Sequence, residues 1–154
     1  MKNNETTANP FSKEWKELSE RITLSEGFIA AHKDEVDWEE VCRHQKLSEQ
    51  FITEHKDEVD WIMVSGYQKL SEQFMTANKH RLFWDWVSIF QELSEQFIED
   101  NKELVDWYSI SEHQKLSEKF IAAHKDEVDW NKIVKNQKLS DEFIATISSQ
   151  VAFV

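Results

Sequence analysis

Residues 47–69 read LSEQFITEHKDEVDWIMVSGYQK, and the wording returns at a fixed step of 23 residues. Leu24, Leu47, Leu70, Leu93, Leu116 and Leu139 each open a copy. A tryptophan column (Trp15, Trp38, Trp61, Trp84, Trp107, Trp130) keeps the same step, and Phe153 takes the next rung. A phenylalanine column (Phe28, Phe51, Phe74, Phe97, Phe120, Phe143) runs beside it. A period of this length is the mark of a repeat array.

Each copy carries two helix starts in one grammar. Ser48 is an N-cap, with Leu47 before it and Ile52 at the fourth helical position, which are the two partners of a hydrophobic staple. Asp60 caps the next helix, with Val59 and Val64 as its staple. The pattern predicts one helix over about 49–58 and another over about 61–68. Phe51, Ile52, His55 and Val59 share a face of the first, and Trp61, Val64 and Gln68 a face of the second. Helices this short are marginal alone, so neighbouring copies must wall each other's apolar stripe. The expected fold is all-α, a solenoid of stacked short helical hairpins with Trp and Phe in the shared core. A coiled coil needs a 7- or 11-residue period, and a β fold wants alternation and Gly or Pro turns. Two glycines and one proline do not supply them.

The expected organisation is a flexible N-terminus over 1–9 and one α-solenoid domain over 10–154. That domain comprises a half repeat (10–23, with Trp15 and Leu18 on core rungs), full repeats 24–46, 47–69, 70–92, 93–115 and 116–138, and a partial cap (139–154). Val151 and Phe153 keep their rungs, so the apolar C-terminus is expected to fold back as a cap. No stretch has the length and apolarity of a membrane span or the apolar core of a secretion signal. The lone Cys42 fits a reducing interior, so a cytoplasmic setting is expected.

Catalytic chemistry finds no motif. His32, His55 and His124 share one column with Asn78 and Asn101. Successive repeats stand ~10 Å apart, too far for these histidines to share one zinc; they read as structural. The serines of the Leu-Ser-Glu column are caps, which leaves no triad, and two isolated glycines build no phosphate loop. The expectation is no enzyme, no cofactor and no metal. The string DEVD at 34–37, 57–60 and 126–129 resembles a caspase cleavage tetrapeptide, but its last Asp is a cap followed by Trp.

With 30 acidic and 18 basic side chains the net charge is −12, which disfavours direct nucleic-acid binding. Glu26, Glu49, Glu72, Glu95, Glu118 and Asp141 form an acidic column. Its plain reading is a solvated face. The alternative is an acidic imitation of nucleic acid that occupies a basic groove of a DNA- or RNA-binding protein.

The repeat beginning at Leu70 departs most. Where its neighbours read HKDEVDW it reads Asn78-Lys79-His80-Arg81-Leu82-Phe83-Trp84, and Phe83 replaces the cap Asp. Phe83, Trp86 and Phe90 form a second stripe beside the Trp84 and Val87 core rungs. Met63 and Tyr67 stand at the equivalents of Trp86 and Phe90 one repeat earlier. Aromatics and Met rimmed by His80 and Arg81 have the composition of an interface centre. Met63, Tyr67, His80, Arg81, Phe83, Trp86 and Phe90 are therefore the candidate protein-interface residues. The partner is another protein, from a host or a second copy in a homo-oligomer, with no membrane involved.

The wording LSExFIxxHKDxVDWxxVxxxQK over residues 24–138 resembles tandem-repeat proteins of unknown role from bacteriophages, bacteria and large DNA viruses. The resemblance carries no known activity. By analogy it implies a small accessory inhibitor of a host defence protein.

Overall fold

Ser48 Oγ accepts the Phe51 N–H at 3.1 Å, and Asp60 Oδ1 accepts the Met63 N–H at 3.0 Å. These two caps start the helices Glu49–Glu54 and Trp61–Tyr67. The computed structural model describes Glu17, Ser19 and residues 21–148. Among them lie eleven helices, from Glu26–Ala31 to Asp141–Ser148, and no strand. Six-residue and seven-residue helices alternate in every full repeat, the first capped by Ser and the second by Asp except at Phe83. The expectations for residues 1–9, for Trp15 and Leu18, and for the Val151–Val154 turn fall outside the described residues.

The first helix is shorter than the sequence pattern suggests, ending at Glu54 rather than near residue 58. His55 takes φ −110° and ψ 27°, and its carbonyl accepts N–H groups of both Glu58 and Val59. One tight turn thus closes the hairpin. No described residue has positive φ, so the connections need no left-handed position, and the repeat manages without glycine.

The described chain divides into two compact units between Leu82 and Phe83, within the third repeat. Each is a stack of these hairpins. In the first unit, helix Trp38–His44 lies against Trp61–Tyr67; in the second, Trp84–Phe90, Trp107–His113 and Trp130–Asn136 follow one another. The innermost positions are aliphatic. Ile29, Ile52, Met75, Ile98 and Ile121 on the first helices, and Val64, Val87, Ile110 and Ile133 on the second, are 0% exposed.

The phenylalanines at 51, 74, 97 and 120 are buried as expected. The tryptophans are not fully so: Trp38, Trp61, Trp84, Trp107 and Trp130 are half-buried. The reason is the indole N–H, which needs a polar partner. In Trp38, Trp61, Trp107 and Trp130 it donates to the carbonyl of the lysine five residues earlier, at 2.9–3.2 Å. That bond holds the ring at the core's edge, over the next repeat's phenylalanine (Trp107 to Phe120, 6.2 Å between centroids).

Side-chain to backbone bonds join one repeat to the next. Gln68 is buried; its Oε1 accepts the Leu47 N–H at 2.9 Å, and its Nε2 donates to the carbonyls of Cys42 and Gln45 at 2.6 and 2.7 Å. Those carbonyls belong to the end of the preceding repeat's second helix, where no intrahelical partner exists. Gln45, Gln114 and Gln137 make the same three bonds, one to the opening leucine of their own repeat and two to carbonyls of the preceding one. Glutamates work in the other direction. Glu26, Glu49, Glu95 and Glu118 each accept, at 2.5 Å, the backbone N–H of the next repeat's cap serine.

A third column explains the lone cysteine. Ser88 Oγ accepts the Asp106 N–H at 3.0 Å and Ser111 Oγ that of Asp129 at 2.9 Å. Cys42 occupies the same column, with its sulfur facing the Asp60 N–H. Burial pushes the thiol up to about 12, a shift that the backbone N–H opposes. This cysteine is an inter-repeat acceptor and is not activated as a nucleophile.

Candidate interaction surface

The seven candidate residues divide between the two units. Met63, Tyr67, His80 and Arg81 lie in the first, and Phe83, Trp86 and Phe90 in the second. Met63 is 8% exposed, and its counterparts Glu40 and Ser109 in other repeats are buried too. Trp86 and Lys132 at the same position of other repeats are half-buried, whereas Met63 presents little to solvent. Tyr67 is 50% exposed, with the Arg43 guanidinium 5.9 Å from its ring centre. Arg81 lies 5.7 Å over the Trp61 ring, and reaches the Lys56 carbonyl at 3.3 Å and Asp57 at 3.6 Å. Its charge is thereby fixed beside an aromatic face. His80 is exposed.

In the second unit Phe83 is 45% exposed and Phe90 54%. Phe83 stands at the cap position of helix Trp84–Phe90 and makes no side-chain cap bond. Trp86 is half-buried, its ring 5.4 Å from that of Phe90. The expected contrast between a core Trp84 and an outward Trp86 is thus muted, both being half-buried. A groove of about 340 Å³ runs beside Phe90, bounded by Ile89, Leu93, His113 and Lys115. Tyr108, which the sequence pattern does not single out, is 51% exposed, with Lys132 Nζ 4.4 Å over its ring.

The histidine column is built into the stack. His124 lies 4.9 Å from Trp107 and 4.3 Å from Phe120 between ring centres, and its Nε2 meets Glu99 Oε2 at 2.7 Å. Asn78 and Asn101 instead donate to carbonyls of their own helices, at 3.0 and 2.8 Å. Among the described residues no three His, Cys, Asp or Glu side chains converge on a metal-sized site. No described helix is long and apolar enough to cross a membrane.

Two partly exposed carboxyls of the second unit are held below the usual range. For Glu99 the hydrogen bond from Lys102 is the main cause, helped by the charges of Lys102 and His124. For Glu112 it is the hydrogen bond from Lys132. A carboxyl lowered in the folded state stabilises it above the ordinary pKa, and that contribution is lost as pH falls through the lowered value. Stability should therefore decline below about pH 4.5, the ordinary value for glutamate. The double variant Glu99→Gln, Glu112→Gln should flatten that acid limb in melts across pH. An unchanged limb would mean that neither pair contributes.

Comparison with known proteins finds no matching family model, no matching curated protein and no matching solved structure.

Proposed function

We propose that the chain is a non-enzymatic protein-binding array that engages its partner through exposed aromatics. In the second unit these are Phe83 and Phe90; in the first, Tyr67 is the corresponding residue, with His80 and Arg81 as polar contacts. The observation that supports this most is the exposure of Phe90 at 54% in a column that holds the likewise exposed Tyr67 one repeat earlier and His44, His113 and Asn136 in the other full repeats. Phe83 adds to it, since four other repeats place a capping Asp there. Two exposed aromatics replacing polar residues suit a partner that buries them, because aromatic anchors dominate binding energy at interfaces.

The acidic-imitation reading is less well supported. Glu26, Glu49, Glu95 and Glu118 already direct a carboxylate oxygen to backbone N–H groups of the next repeat. The resemblance to phage repeat proteins makes a bacterial host protein the first partner to seek, with inhibition of a defence protein as the specific form. A test is quantitative affinity capture from bacterial lysate with the wild type and with Phe90→His, which copies a neighbouring repeat. A partner held through the aromatic set should be lost from the variant by about tenfold or more and retained at high salt. Equal capture by both proteins would remove Phe90 from the interface.

A further inference from the structure

A concave surface lies on the first helices of the first unit, apart from the seven candidate interface residues. Between Glu49–Glu54 and Glu72–Ala77 a groove of about 590 Å³ opens. This is within the range of ordinary ligand sites, ~300–1,000 Å³. Phe74 and Ala77 give it an apolar wall, and Glu49 and Glu54 supply two carboxylates; none of its lining residues is basic. Both carboxylates are held in place. Glu49 Oε1 accepts the Ser71 N–H at 2.5 Å, and Glu54 Oε1 accepts from Gln50 Nε2 at 2.9 Å. Prepositioned charges reduce the ordering cost of binding.

The second unit contains the corresponding groove 46 residues on, about 400 Å³ in volume, with Phe120 and Ala123 in place of Phe74 and Ala77. Its chemistry differs at three positions. Lys119 stands where the first groove has Gln73, His124 where it has Asn78, and Glu99 where it has Thr53. The repeat thus offers one shape with two electrostatic characters, and only the first combines an apolar wall with acid and no lining base.

We propose that the groove of the first unit docks an extended basic segment of a partner protein. An arginine or lysine would lay its methylene stem along Phe74 and Ala77 and point its cation between Glu49 and Glu54. Long basic side chains bury their stems on apolar surface while the charge meets a carboxylate. Alternate side chains of an extended segment face the same way, so a basic residue at every second position suits it.

The test is fluorescence anisotropy with a fluorescein-labelled nonapeptide carrying arginine at alternate positions and serine between them. The wild type should bind it. Gln73→Lys, which copies the second groove at an exposed position, should weaken binding about tenfold or more. Ala77→Phe, which fills the groove without changing charge, should do likewise. Asn131→Lys makes the same change in net charge at an exposed position outside the groove and should leave binding intact, as should Phe90→His, which reports on the aromatic surface alone. No binding by the wild type would overturn the proposal. Equal losses for Gln73→Lys and Asn131→Lys would also overturn it, reducing the effect to diffuse attraction to an acidic chain. So would self-association abolished by Gln73→Lys without any peptide binding, which would assign the groove to a second copy.

Discussion

Gln114→Leu is expected to destabilise the protein by about 3 kcal/mol or more, although leucine is apolar and close in size. The Gln114 side chain accepts the Leu93 N–H at 3.1 Å and donates to the carbonyls of Ser88 and Gln91 at 3.0 and 2.8 Å. All three contacts are buried. Leaving a buried polar group unpaired costs roughly 1–3 kcal/mol, and leucine leaves three. Gln114→Glu should be no milder, since it loses both donors and brings a charge into a buried position. Gln137→Leu should cost less. That residue is only partly buried, and its bond to the Ser111 carbonyl is long, at 3.4 Å. Urea unfolding of the three variants checks the order. Equal, small losses at 114 and 137 would mean that water replaces the amide without penalty.

The second large effect is expected at Ile121. It is 0% exposed and packs with Val128 and Ile133, flanked by Trp107, Trp130 and Leu139. Ile121→Ala should cost about 2–5 kcal/mol, the usual range for emptying a buried aliphatic site. Trp107→Ala should fall below the ~3–5 kcal/mol of a fully buried aromatic, because part of its surface already faces water and its loss opens no closed cavity. A Trp107 variant more damaged than the Ile121 variant would show that the tryptophan column, and not the aliphatic one, holds the stack.

The hairpins are legible in the sequence because their signals are local. Leu47, Ser48, Ile52, Val59, Asp60 and Val64 state caps and staples within a few residues, and the helices begin where those residues put them. The glutamine column carries a weaker signal. An uncharged amide returning every 23 residues at the end of an apolar face is unusual, and only an amide both donates and accepts at one buried point. Its partners, 21 to 26 residues earlier, depend on how one repeat meets the next, which periodicity alone does not fix. The same holds for Glu49 and Cys42, whose partners are backbone groups of the following repeat. The tryptophans lie further out than their hydrophobicity suggests because the indole N–H must also be satisfied.

In the candidate surface, the missing cap at Phe83 is visible against four aspartates in its column. The burial of Met63 is not, because the third position of the second helix is buried in some repeats, as with Glu40 and Ser109, and half-buried in others, as with Trp86 and Lys132.

The most direct measurement of the central claim is the melting temperature of Phe83→Asp taken together with its partner capture. Aspartate at this position caps the helix in four other repeats. Restoring it should add about 0.5–2 kcal/mol, or roughly 2–4 °C for each kcal/mol in a chain of this size. The same change removes an exposed aromatic, so capture of the partner should fall steeply while the fold becomes more stable. That opposition, stability up and binding down, is the predicted result for a repeat that gave up its cap for recognition. A variant that melts no higher than the wild type and still captures its partner in full would contradict the account.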